Sequence, residues 1–184
     1  MRTLTLLAVV IIQPLQMPAQ QEAPFPPAPS TVSSTVSLVS ESEEGNRLVI
    51  SGTVFRSDGK TLYPDLVVYL YQTDATGVYN KSDRSWKRPR LHGWIKTGKN
   101  GKYEIRTIKP GSYPGSRNPA HIHAIVRLPN EDAKWIDDFL FDGDPYLGKD
   151  DHSRFAEKGS FSSIMKATRD ASGILHCVRD IRIH

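Results

Sequence analysis

Two histidines flank a single isoleucine in the stretch "PAHIHAIV" of this 184-residue chain. Successive side chains of a strand point to opposite faces, so His121 and His123 would face one way and Ile122 the other. Two phenols precede the pair at turn positions, Tyr79 in "YQTDATGVY" and Tyr113 in "KPGSYPG". Alone, a His-x-His pair serves zinc, copper or iron, or is simply structural. A buried phenol usually caps a core with its hydroxyl. Two phenols beside two imidazoles, however, form an N2O2 set that suits a hard, highly charged cation. A trivalent iron can deprotonate a phenol well below its free pKa of about 10, because the metal is the largest local charge. Zinc more usually takes cysteine, histidine or carboxylate.

The elements that must position these groups read as strands. "NRLVISGTVFRSDGK" is a strand ending at an Asp-Gly turn, and "DLVVYLYQTDATG" is a second one. "GWIKTGKNGKYEIRTI" carries a hairpin signal across Asn100-Gly101. "HIHAIVRLP" and "DDFLFDG" are short strands, and "SFSSIMKATRDASGILHCVRDIRI" reads as a closing hairpin. No stretch holds a sustained helical period with caps. Short strands punctuated by Gly, Pro and Asp predict an all-β fold, a single β-sandwich of mainly antiparallel strands over residues 46–184. A cupin reading fails, because no Glu follows His123 between Ala124 and Leu128 and no second histidine motif lies downstream.

Ahead of that domain, Arg2 and the apolar run from Leu4 to Ile12 have the form of a signal peptide over residues 1–19. The run is too short for a bilayer span, which needs about 20 residues. Residues 20–45, rich in Pro, Ser and Thr, are expected to be a flexible linker. An exported protein, with no membrane contact after signal cleavage, is the expectation. Cys177 is the single cysteine, so no internal disulfide forms; it alternates with Leu175, Ile181 and Ile183 toward one face and reads as core. The net charge of +4 is too weak to imply a nucleic acid, and "WKRPR" at 86–90 reads as a solvated loop. The sequence leaves the oligomeric state open.

Four stretches, "GTVFRSDGK", "YLYQTDATGVY", "GKNGKYEIRTIKPGSYP" and "PAHIH", together resemble the intradiol ring-cleavage dioxygenases from about Leu48 to Leu147. The resemblance implies a ferric ion, Fe(3+), held by Tyr79 and His123 as equatorial ligands and by Tyr113 and His121 as axial ones. It implies a small aromatic diol and O2 as reactants, with ring opening between the hydroxyls to a muconate. In such a reaction the catechol chelates the metal and displaces Tyr113, whose tyrosinate accepts a proton. Family members carry an arginine three residues before the first histidine to stabilise charge building on the ring. This chain has Asn118 there and Arg117 one position earlier, so Arg117 is the candidate for that role. The competing reading is an exported binding module resembling transthyretin or carboxypeptidase regulatory domains, which share the "DG … GKYEI … PGSY" pattern. A dioxygenase relative that binds iron with little ring cleavage is a further alternative.

Overall fold

A computed structural model describes residues 26–82 and 84–184. The expected signal peptide and the first part of the expected linker lie outside them. Two sheets pack face to face. One is six-stranded, with order β1(Thr35–Ser37), β5(Lys102–Ile108), β2(Arg47–Phe55), β10(Leu175–Val178), β9(Thr168–Arg169), and β11(Ile181–Arg182) also pairing β2. The other runs β4(Leu91–Lys96), β3(Val67–Gln72), β6(His121–Val126), β7(Lys134–Phe141), β8(Ile164–Met165). The long pairings β2/β5, β3/β4, β3/β6 and β6/β7 are antiparallel, as the sequence predicts. The short strands add parallel pairings, β1 with β5, β8 with β7, and β10 and β11 with β2.

Period-two alternation builds the core. Ile50 and Val54 of one sheet meet Leu70, Ile95, Ile122 and Phe139 of the other, all essentially inaccessible. Burying such side chains stabilises the fold by roughly 1.5–3 kcal/mol each before entropy is counted. Cys177 lies in this core, as expected. The second sheet also has a populated outer face, where Tyr69, Tyr71 and Ile125 are buried beneath Trp94 and the loops. That outer face carries the site.

Four expectations are corrected. Residues 35–38 are not a tether: β1 pairs β5, and Leu38 is 6% exposed in the core. Ser33 accepts a hydrogen bond from Lys96 N–H and Ser34 accepts one from Glu104 N–H, so this segment ties β4 to β5 across the sandwich edge. The folded unit therefore begins well before Asn46. The turn at Asn100-Gly101 is real, with Gly101 at φ 68°, but it is a corner rather than a ladder hairpin, since β4 and β5 belong to different sheets. An unexpected helix, α1(Lys149–Ala156), begins where Gly148 N–H donates to Asp151 Oδ2 at 3.0 Å. It buries only Phe155 and so leaves no apolar period to read. In the closing segment β9 and β10 do form a hairpin, whereas β8 leaves for the other sheet.

Candidate metal centre

β3 ends in a tight loop held by Asp74. Its Oδ1 accepts from Thr76 N–H at 2.9 Å, Thr76 Oγ1 at 2.7 Å and Val78 N–H at 3.1 Å. Burial works against that charge, but these hydrogen bonds and nearby Arg90 keep the carboxyl below its ordinary pKa. Gly77 in this loop has φ 83°, and a Cβ there would stand 1.9 Å from the Ser112 carbonyl oxygen. Only glycine permits that approach. It brings Tyr79 against Tyr113, with ring centroids 5.6 Å apart.

On β6, His121 and His123 both face outward and Ile122 faces the core, as the alternation predicts. His121 Nδ1 donates to the Pro119 carbonyl at 2.6 Å, and His123 Nδ1 donates to Asp138 Oδ1 at 2.8 Å. Each ring therefore turns its Nε2 inward, and the two nitrogens lie 3.0 Å apart. Tyr113 Oη is 2.8 Å from His121 Nε2 and 3.2 Å from His123 Nε2, and Tyr79 Oη is 2.8 Å from His123 Nε2. The two phenol oxygens also touch each other.

The four atoms thus share five contacts, but the two phenols supply only two protons to fill them. A cation at their centre would satisfy all four lone pairs, and separations near 3 Å suit neighbouring donors around one ion with bonds of about 2.0–2.2 Å. The donor set fits a metal. Burial, together with the neighbouring phenol, pushes Tyr79 far above its ordinary range, and burial pushes Tyr113 up as well. His121 is pushed down by burial and by His123. For Tyr79, Tyr113 and His121 these shifts all favour the neutral form.

Two cavities meet at this cluster. One, of about 500 Å³, is walled by Tyr71, Tyr79, Trp86 and Trp135 and contains Arg84 as its cation. The other, of about 570 Å³, holds Asn118, Asp137, Asp138 and Asp151. Tyr113, His123 and Trp135 border both. Arg117 borders neither; its guanidinium lies 6.0 Å from the Tyr146 ring. Trp86 in the "WKRPR" stretch is a wall of the first cavity, so the loop is not merely solvated. Sequence reasoning missed Asp138, Arg84 and Trp135. Asp138 and Trp135 left no readable signal because the register of β7 against β6 brings them in.

Comparison with known proteins places the chain in a family. The family model described as Dioxygenase matches residues 23–173. The chain belongs to the intradiol ring-cleavage dioxygenase family. It is 32% identical over 154 residues to catechol 1,2-dioxygenase 1 of Acinetobacter lwoffii, covering 72% of this chain and 49% of that one. It is 29% identical to the protocatechuate 3,4-dioxygenase beta chain of Burkholderia cepacia, covering 58% and 49%. The chain thus spans about half the length of these relatives. Among solved structures it is similar to the dioxygenase domain of a dioxygenase–carbohydrate-binding fusion from Streptomyces sp. SirexAA-E. The TM-score is 0.62 at 26% identity, over 90% of this chain and 96% of that one.

Proposed function

We propose that this chain is a non-haem ferric dioxygenase that opens a catechol-type diol between its hydroxyls with O2 to a muconate-type product. One observation carries the reading: Tyr79 Oη, Tyr113 Oη, His121 Nε2 and His123 Nε2 converge, with both Nδ1 atoms committed elsewhere. A bound ferric ion would hold the phenols as phenolates and withdraw electron density from a chelated diol, opening its ring to dioxygen.

The chain's own residues supply the rest. Tyr79 is buried and packs on Tyr71, so it stays in place. Tyr113 is less buried and borders both cavities, so it is the group free to yield its position. Its Oη then accepts a proton from an incoming diol hydroxyl. The Tyr71, Trp86 and Trp135 walls receive a flat ring and keep water from it. Arg84 is the cation of the aromatic cavity and takes the charge-stabilising role that the resemblance suggested for Arg117. The binding-module reading gives the four converging donors no task. An exported enzyme needing no reductant remains our reading of the signal-like N-terminus.

The test is iron-replete full-length chain, assayed for metal content, visible absorption and product from catechol under oxygen. A red-brown protein with about one iron per chain and a muconate product supports the reading. A colourless zinc protein, or one that leaves every simple catechol intact, overturns it.

A further inference from the structure

The strand that neighbours the two histidines is irregular at one place. Along β6 and β7, Ile122 faces Phe139 and Ala124 faces Ile136. His123 alone therefore stands opposite both Asp137 and Asp138, which makes a β-bulge on β7. Inward Ile136 and inward Phe139 would normally be separated by one outward residue. The extra residue puts both aspartates on the outer face, where the histidines are. Asp138 Oδ1 then reaches His123 Nδ1 at 2.8 Å.

The bulge is clamped from inside the sandwich. Arg179, in the break between β10 and β11, is 4% exposed and stacks over the Phe139 ring at 4.0 Å. Its Nη2 donates to the Asp137 carbonyl at 2.6 Å and to Ser163 Oγ at 3.2 Å. β8 pairs with β7 only from Leu140 onward, beyond Asp137, so the guanidinium takes a carbonyl at a place the ladder does not reach. Among the described residues Nε and Nη1 of Arg179 find no partner. A buried guanidinium is costly to the fold, and the shorter of its two hydrogen bonds is to the bulge. On the outer side, the Asp137 carboxylate pairs with Lys158.

We propose that Asp138 is a positioning residue: the Arg179-braced bulge presents its carboxylate to His123, fixing the ring with Nδ1 protonated and Nε2 aimed at the metal. This rests on the ferric reading above and goes further, because it assigns a role to two residues, Asp138 and Arg179, that bind no metal themselves. A carboxylate behind a ligating imidazole fixes its tautomer and raises its basicity, and losing one typically costs 10–100-fold in metal affinity. Asp138 is also close enough to His121 and His123 to be considered as a ligand itself. In the proposed arrangement its near oxygen is engaged by Nδ1, on the far side of the ring from the phenols.

The test uses the full chain with Asp138→Ala, Asp138→Asn and Arg179→Met. In metal-free protein at one fixed alkaline pH, long-range nitrogen–proton correlation spectra of the histidine rings report the His123 tautomer. Wild type is expected as Nδ1–H. Asp138→Asn, whose amide oxygen still accepts, should keep that tautomer, and Asp138→Ala and Arg179→Met should mix it. With iron, Asp138→Ala should bind about 10–100-fold more weakly. Asp138→Asn should stay coloured but absorb at longer wavelength, because a less basic imidazole leaves the iron a better acceptor of tyrosinate charge. A wild-type Nε2–H tautomer, or an unchanged tautomer and iron affinity in Asp138→Ala, overturns the proposal. Loss of all metal in Asp138→Asn also overturns it, making Asp138 a ligand. If wild type binds no iron, the ferric reading falls while the tautomer measurement still decides what Asp138 does.

Discussion

Replacing Gly77 by alanine, with Gly115→Ala as its partner, separates backbone strain from the steric fit that makes the site. Both glycines have positive φ, 83° and 75°. An alanine in that region costs about 1–2 kcal/mol at either position. The surroundings differ. At Gly115 a new Cβ meets nothing within 4 Å, whereas at Gly77 it would stand 1.9 Å from the Ser112 carbonyl oxygen and 3.0 Å from Pro114 Cδ. The obstacle is backbone, so the loop must move by more than an ångström of van der Waals overlap. Overpacking of that kind adds about 1–3 kcal/mol. Gly77→Ala should therefore lose about 1–3 kcal/mol more stability than Gly115→Ala in urea titrations of metal-free protein. It should also lose iron colour, because Ser112 adjoins Tyr113 and the loop of Gly77 carries Tyr79. Gly115→Ala should keep the colour. Equal losses from the two variants, or full iron binding in Gly77→Ala, would refute the idea that this close approach assembles the phenol pair.

Leu38→Ala should cost about 2–5 kcal/mol, as for a buried leucine, measured by urea unfolding; a free tether would give no change. Cys177, whose thiol burial pushes up to about 11, should resist a thiol reagent in the native protein and react at once in denaturant. Tyr113→Phe should retain iron, with a shifted visible band, while His123→Ala should lose it. Arg84→Ala should lower kcat for catechol by about 10²-fold, the scale for losing one transition-state donor, and raise KM for a carboxylated catechol about tenfold, the scale of a hydrogen bond to a charged group. Arg117→Ala, outside both cavities, should change neither.

The two-residue period of "HIHAIV" was enough to place both imidazoles on one face, because nothing in a paired strand competes with alternation. The tyrosines were legible for a different reason. Each sits two residues from a turn glycine of positive φ, Gly77 or Gly115, and turn conformation is written locally. What escaped the sequence depended on distant partners. Val36 and Leu38 alternate like a strand, yet Ser, Thr and Pro around them gave the composition of a tether, and only β5 and the core reveal the pairing. The Asn100-Gly101 turn looks the same whether its strands pair or diverge into two sheets. Asp138 was invisible for the same reason: a bulge belongs to the register between two strands, and neither strand alone encodes it.

Burial and bracing divide the four donors into unequal roles. His121 is tied to the Pro119 carbonyl, His123 to Asp138, and the loop of Tyr79 to Asp74. The Tyr79 ring is also enclosed, with Tyr71 5.7 Å away and only 8% of its surface exposed. Moving any of these three would break contacts outside the cluster. Tyr113 differs. Among the described residues its hydroxyl bonds only to the other three donors, and its ring stands between two cavities that together offer room for a diol and for the displaced phenol. A site that must admit a bidentate substrate needs one donor that can leave at low cost and three that cannot. Under the proposed function, this asymmetry of support around the cluster favours Tyr113 as the exchangeable donor, an argument from bracing and burial rather than from sequence.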